Sequence, residues 1–233
     1  MAILREVMNQ YDNSQVEDLE FKAHLLNDLG ALQADVNKLK EASKIREILY
    51  KTPNFDLVQS QRNLANVHFQ LGEIADALEY ARRAYKLQSA MNNQDVRHSV
   101  DVLAVLCFAL HDSKHYDEAL KYNTEAMILI ASISKAKTTS IANLYLVRSW
   151  LDWRKGDRML AIDNAFKSYL IAREVTGEMS TFSRTIRDAL DKCLTSFLLD
   201  SQFPNFAFER LRKRFPYGIE KAIVSEFRHL SQP

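Results

Sequence analysis

Apolar residues return every three or four positions along most of this chain. Leu64, Ala65, Phe69 and Leu71 do so, and then Ile74, Ala77, Leu78, Ala81, Ala84, Tyr85 and Leu87. That spacing is the period of an amphipathic helix, and no long run shows the period-two alternation of a half-buried strand. Breakers are sparse. There are 5 glycines and 4 prolines, with Pro53, Pro204 and Pro216 falling between the periodic segments. The pattern predicts an all-α chain of long helices.

The helices also recur on a fixed ruler. Gly30, Gly72, Lys114 and Gly156 lie 42 residues apart. Seven residues before each marker stands a small residue: Ala23, Ala65, Cys107, Ser149. Five after it come Asp35, Ala77, Ala119 and Ala161, and twelve after it Ala42, Ala84, Ala126 and Ser168. A period of this size marks a solenoid of repeated units. Each unit reads as a hairpin, with helix A running into the marker and helix B leaving it. The predicted repeats are 15–50, 56–91, 95–133 and 137–175, split into 15–29/32–50, 56–71/74–91, 95–112/116–133 and 137–154/158–175. Small side chains facing one another let two helix axes approach and cross closely. Glycine at the marker supplies the left-handed residue that ends helix A. Lys114 lacks that freedom, so the third turn should be strained or differently capped. Residues 179–233 read as a degenerate repeat and C-terminal cap, completing one solenoid over 1–233, and the first eleven residues as a cap on the other end. In the C-terminal segment Phe203, Phe206, Phe208, Leu211 and Phe215 should close the last hairpin, with Arg212 and Arg214 of the basic segment Arg210–Arg214 facing water.

Composition narrows the function classes. Of 233 residues, 47% are hydrophobic and 26% charged, with a net charge of +1. No global field recruits nucleic acid, and none is expected as a partner. Cys107 and Cys193 lie in apolar helical stretches and read as buried structural thiols. The N-terminus carries no secretory core, and no stretch is apolar enough to span a bilayer, so the expected compartment is cytoplasmic. Phosphate loops, nucleophile elbows, HExxH and CxxC are missing. His111 and His115 share metal-ligand spacing on paper, but His115 falls past the turn, where it leaves the face of His111. No catalysis, cofactor or metal is expected.

The stretch NLANVHFQLGEIADALEYARRAYKL resembles a tetratricopeptide repeat (TPR). Leu64 and Ala65 take its helix A positions, Gly72 its turn, and Ala77, Ala81 and Ala84 its helix B alanines. Leu106, Cys107, Tyr116, Ala119 and Ala126 repeat the match. Gly156, Ala161 and Ala165 match more weakly, and Ala23, Gly30 and Ala42 most weakly. The 42-residue period exceeds the common ~34. It resembles the long repeats of kinesin light chain, Pins-type adaptors and bacterial peptide-sensing regulators. The implied fold is a right-handed TPR-like superhelical solenoid of helical hairpins.

The same resemblance places helix A residues on a concave groove. These are Arg62, Asn63, Asn66, Phe69 and Gln70 in the second unit. In the third they are Asp101, Phe108, His111 and Asp112, and in the fourth Asn143, Trp150, Trp153 and Arg154. An asparagine amide offers donors and an acceptor, so it can satisfy a peptide backbone without reading its side chains. Arg62 could hold a carboxylate, and the tryptophans could anchor a partner. The expected function is a non-enzymatic adaptor that binds a protein, as a peptide or helix, in that groove. The alternatives are a sensory or regulatory module that passes a ligand-induced change to an effector and, least favoured, an enzyme on a TPR scaffold. The sequence specifies no oligomeric state.

Overall fold

The computed structural model describes residues 18–92, 95–133 and 137–200. The expectations for the first eleven residues and for the segment after residue 200 fall outside these. The chain divides into two compact units, 1–186 and 187–233, and the hairpins lie in the first. The described residues form helices and no strand. In order, these are α1 (Leu19–Gln33), α2 (Val36–Leu49), α3 (Phe55–Gln70), α4 (Ile74–Ser89), α5 (Val96–Asp112), α6 (Tyr116–Ser132), α7 (Thr139–Lys155), α8 (Arg158–Thr176) and α9 (Thr181–Asp200). α1 to α8 pair as four A–B hairpins, each stacked on the next, and neighbouring A helices also touch directly.

Every A helix starts on a side chain that accepts from its first turn. Asp18 takes the Phe21 N–H, Asn54 that of Leu57, Asp95 those of Arg97 and His98, and Thr138 that of Ile141. Each oxygen satisfies a donor that has no partner inside the helix. The A helices end on one recurring turn. The Glu73 N–H reaches His68 O at 2.9 Å, His115 reaches Leu110 O at 2.8 Å, and Asp157 reaches Asp152 O at 3.0 Å. Gly72, Lys114 and Gly156, one residue earlier, take φ of 78°, 64° and 88°. This is the Schellman closure, with a left-handed residue after the helix.

Lys114 thus adopts the same turn as its glycine counterparts, with the strain the sequence led us to expect and no alternative cap. A side chain in the left-handed region costs about 1–2 kcal/mol. Lys114→Gly removes that cost and adds back ~0.5–1 kcal/mol of unfolded-chain entropy. We expect a net gain of roughly 0.5–1 kcal/mol, read as a higher urea midpoint at unchanged slope.

The first unit corrects the register. Gly30 does not end its helix; it lies inside α1. The left-handed residue is Ala34, at φ 53°, and the Asp35 N–H closes the turn on Gly30 O at 2.9 Å. The four turns therefore stand at 34, 72, 114 and 156, with a first interval of 38 residues and then two of 42. The shortfall is spread out. α2 has 14 residues against 16 in α4, α3 has 16 against 17 in α5, and the linker between them is one residue shorter. Asp35 is consequently the side-chain cap of α2 and not a helix-packing position.

Counted from the true turns, the buried columns align. Seven residues before each turn stand Asn27, Ala65, Cys107 and Ser149, and five after it Leu39, Ala77, Ala119 and Ala161, all fully buried. Twelve after it come Arg46, Ala84, Ala126 and Ser168, also buried. Some buried polar side chains of the hairpins find partners on the facing helix, although the Ser149 hydroxyl has none among the described residues. Ser168 donates to Ala142 O at 2.6 Å, and Asn123, nine after its turn, to Leu144 O at 2.9 Å. The Cys107 thiol points at Ala119 O across 3.8 Å, and burial pushes its pKa up, so it is an inert core group. One apolar cluster runs from Ala65 and Ala81 through Leu103, Leu110 and Ala119 to Leu144 and Leu151. Ala119→Leu should overpack it and lower stability by about 1–3 kcal/mol. An unchanged denaturation midpoint would mean that the A–B contact tolerates bulk.

Candidate functional site

Side chains six and three residues before a turn lie one above the other on helix A, because residues three apart share a face. The six-before positions are Asn66, Phe108 and Trp150; the three-before positions are Phe69, His111 and Trp153. Stacking the hairpins brings them together on a diagonal. Phe69 of α3 meets Phe108 of α5 edge-to-face, with ring centroids 5.8 Å apart. Phe108 meets Trp150 of α7 at 5.6 Å and 90°. His111 lies 4.8 Å from Trp150 at 34°, and 5.5 Å from Tyr116 of α6. The Arg154 guanidinium covers Tyr116, 3.6 Å from its centroid. Edge-to-face and cation–π contacts each add ~0.5–1.5 kcal/mol beyond area burial. The result is a ladder of half-buried rings across three A helices, each with an edge or face in water. Trp153 stands at its far end, with the Arg158 guanidinium 5.1 Å from its ring.

Several of the polar residues expected on this surface already engage one another. Arg62 donates to Asp101 at 3.0 Å, tying α3 to α5, so two expected groove residues engage each other. Asn63 donates to Asn27 Oδ1 at 3.2 Å, tying α1 to α3. Asn66 and Gln70 are exposed and Asn143 is half-buried. Trp150 and Trp153 flank the buried Asp152, which accepts from Arg148 at 3.0 Å and from Asn164 at 2.8 Å. That network holds the tryptophan-bearing turn of α7 against α8. Sequence reasoning named every ladder member except Tyr116, which it read only as a repeat position. Tyr116 comes two residues after the left-handed Lys114, and the turn carries it back beside His111.

Among the described residues, two groups gather three side chains able to ligate a metal: Glu20, His24 and Asp56, and His68, Glu73 and Asp76. In the first, the buried Arg46 guanidinium donates to His24 Nδ1 at 3.0 Å, so a cation already holds the nitrogen that a metal would need. Tyr50 donates to Glu20 there at 2.9 Å, and burial, with Glu20 beside it, pushes the phenol up to about 12. In the second, His68 Nδ1 and Glu73 Oε2 are 2.6 Å apart, and the ring stacks on Tyr80. That bond joins the end of one A helix to the start of its B helix. His111 and His115 do not converge; His115 precedes α6 as its N-cap residue.

No protein-family model and no curated protein sequence matches this chain. Solved structures do. The putative kinesin light chain of Podosopora anserina with nearly identical TPR-like repeats aligns at a TM-score of 0.54 and 14% identity, over 84% of this chain and 92% of that one. BtubC (BKLC) from P. vanneervenii aligns at 0.53 and 14%, over 78% of this chain and 68% of that one. Likeness at this identity concerns the fold. The described residues have the all-helical architecture of a TPR-like solenoid. Among the described residues, no helix is long and apolar enough to cross a membrane.

Proposed function

We propose that the A-helix surface of α3, α5 and α7 is a protein-docking groove, and that the chain is a scaffold for a peptide segment of a partner. The observation that carries this reading is the ladder Phe69, Phe108, Trp150 and His111, half-buried and bordered by the amides of Asn66, Gln70 and Asn143. Half-exposed aromatics can bury more area at little entropic cost, since their rings are already fixed by one another. Amides at the border can satisfy a peptide backbone. The fold shared with TPR-like repeats adds support, because solenoids work through extended surfaces of this kind.

Photo-crosslinking from position 66 or 70, with the exposed Lys86 of the B face as control, locates the partner. Trp150→Ala should weaken a partner crosslinked there by at least ~2 kcal/mol, about thirtyfold. Asn66→Ala should weaken it less and change stability by under ~0.5 kcal/mol, because the residue is exposed. Crosslinks confined to position 86, or equal affinity for both variants, would remove the groove assignment.

A further inference from the structure

Resting on that docking surface, we propose that His111 Nε2 is its fixed hydrogen-bond acceptor, selecting a peptide segment that presents an uncharged N–H or O–H donor beside an apolar group. Asp112 is the positioning residue that makes it so.

His111 Nδ1 lies 2.8 Å from Asp112 Oδ1. A carboxylate has lone pairs and no hydrogen to give, so the hydrogen of this bond sits on Nδ1. The neutral ring then carries its lone pair on Nε2. The imidazole is held in place, 4.8 Å from Trp150 and 5.5 Å from Tyr116, on helices α7 and α6. It is also open: the His111 side chain keeps 20% of its surface in water. The buried side-chain nitrogens without a partner include His68 Nε2 but not His111 Nε2. The two histidines therefore differ in use. The His68 ring is closed into the core at Nε2, whereas the His111 ring in its neutral form keeps the Nε2 lone pair at a partly exposed edge of the aromatic frame.

The chemistry of what can sit there follows. A carbonyl or carboxylate would set lone pair against lone pair. A lysine or arginine could donate, but Arg154 already places a guanidinium 3.6 Å from the adjoining Tyr116 ring. A second cation would meet that like charge, and the Asp112 carboxylate beside the ring is already engaged by His111 Nδ1. What remains is a neutral donor: a backbone amide, a hydroxyl, a carboxamide or an indole. Among the other rings of the ladder, phenylalanine offers no acceptor and the tryptophan indole only donates, while the Tyr116 hydroxyl can both donate and accept and so selects neither kind of partner.

Two measurements test the proposal. The first is long-range proton–nitrogen NMR of the full chain at about pH 8, above the ordinary histidine range. His111 should show the Nδ1–H form, and Asp112→Asn should shift it toward Nε2–H. A native ring protonated on Nε2, alone or together with Nδ1, overturns the proposal. The second uses peptides selected from a random display library on the immobilised full chain, keeping those whose binding needs Trp150. His111→Phe keeps a ring in the ladder and removes the acceptor, so these peptides should bind it about fivefold more weakly. Removing a single donor from the peptide, by backbone N-methylation or by alanine, should cost the same on the native chain and nothing on His111→Phe. Equal binding of native chain and His111→Phe overturns this inference alone. A library that yields no Trp150-dependent peptide overturns the docking reading and this inference with it.

Discussion

Arg46→Ala should lower stability by about 3 kcal/mol, the lower end of what removing one member of a buried ion pair costs. Arg46 belongs to α2 and is 1% exposed. Its guanidinium donates to Asp56 O at 2.9 Å, to Ser60 Oγ at 2.7 Å and to His24 Nδ1 at 3.0 Å, and lies 3.7 Å from Asp56 Oδ1. It therefore binds α1 and α3 to α2 through one side chain. Burial lowers its pKa, and the Asp56 charge works against that shift. Alanine would leave three acceptors and the Asp56 carboxylate without their cationic partner, and a void where the long stem packed. Asp56 can recover some hydration, which is why the lower end applies. Arg46→Lys should rescue little, because an ammonium on a flexible stem cannot span three acceptors in a planar fork. The check is chemical denaturation of both variants. A loss below ~1 kcal/mol for alanine would show that the network is worth no more than an exposed pair.

Arg46 also shows where sequence reading stopped. It occupies the position that Ala84, Ala126 and Ser168 fill in the later hairpins, twelve residues after the left-handed turn. On the ruler of 42 that position falls on Ala42, and nothing in the pattern singles out Arg46. Two things misled the ruler. Gly30 happens to stand 42 residues before Gly72, and the true turn residue, Ala34, carries none of the usual chemistry for a left-handed backbone. In the later units, by contrast, small residues mark every close contact. Buried Ala77, Ala81, Ala119 and Ala126 were all legible because axis-to-axis approach admits nothing larger.

The candidate site was legible residue by residue but not as an assembly. Phe69, Phe108, His111 and Trp150 could each be placed on helix A from spacing alone. Their mutual contacts depend on the stagger between neighbouring A helices, which sets a three-before residue against the six-before residue of the next helix. No periodicity within one helix encodes that offset. Arg62 and Asp101 posed the same problem. Both were placed on the groove face, yet their separation by 39 positions hid that each satisfies the other.

Gly30 and Leu39 form the strongest coupled pair that we expect in the fold. In the third hairpin the residue four before the turn is Leu110, and the residue five after it is Ala119. The first hairpin exchanges these sizes: glycine stands before the turn and leucine after it. A Cβ on Gly30 would lie 2.7 Å from Leu39 Cγ, closer than real carbon contacts, with tight approaches of 3.0 Å to Leu39 Cδ2 and 3.1 Å to Asp35 O. Gly30→Leu should therefore cost about 3 kcal/mol through overpacking, although leucine favours a helix over glycine by ~1 kcal/mol. Leu39→Ala should cost about 2–5 kcal/mol, since Leu39 is fully buried and its cavity would face a glycine. The double variant restores the leucine–alanine arrangement of the third hairpin, and most of both losses should cancel. The expected interaction energy is at least ~2 kcal/mol, well beyond the few tenths seen for independent sites. Urea unfolding of the four chains measures it directly. Additive losses would mean that the two side chains do not share one space, and that the exchange of sizes across the first turn is incidental to its packing.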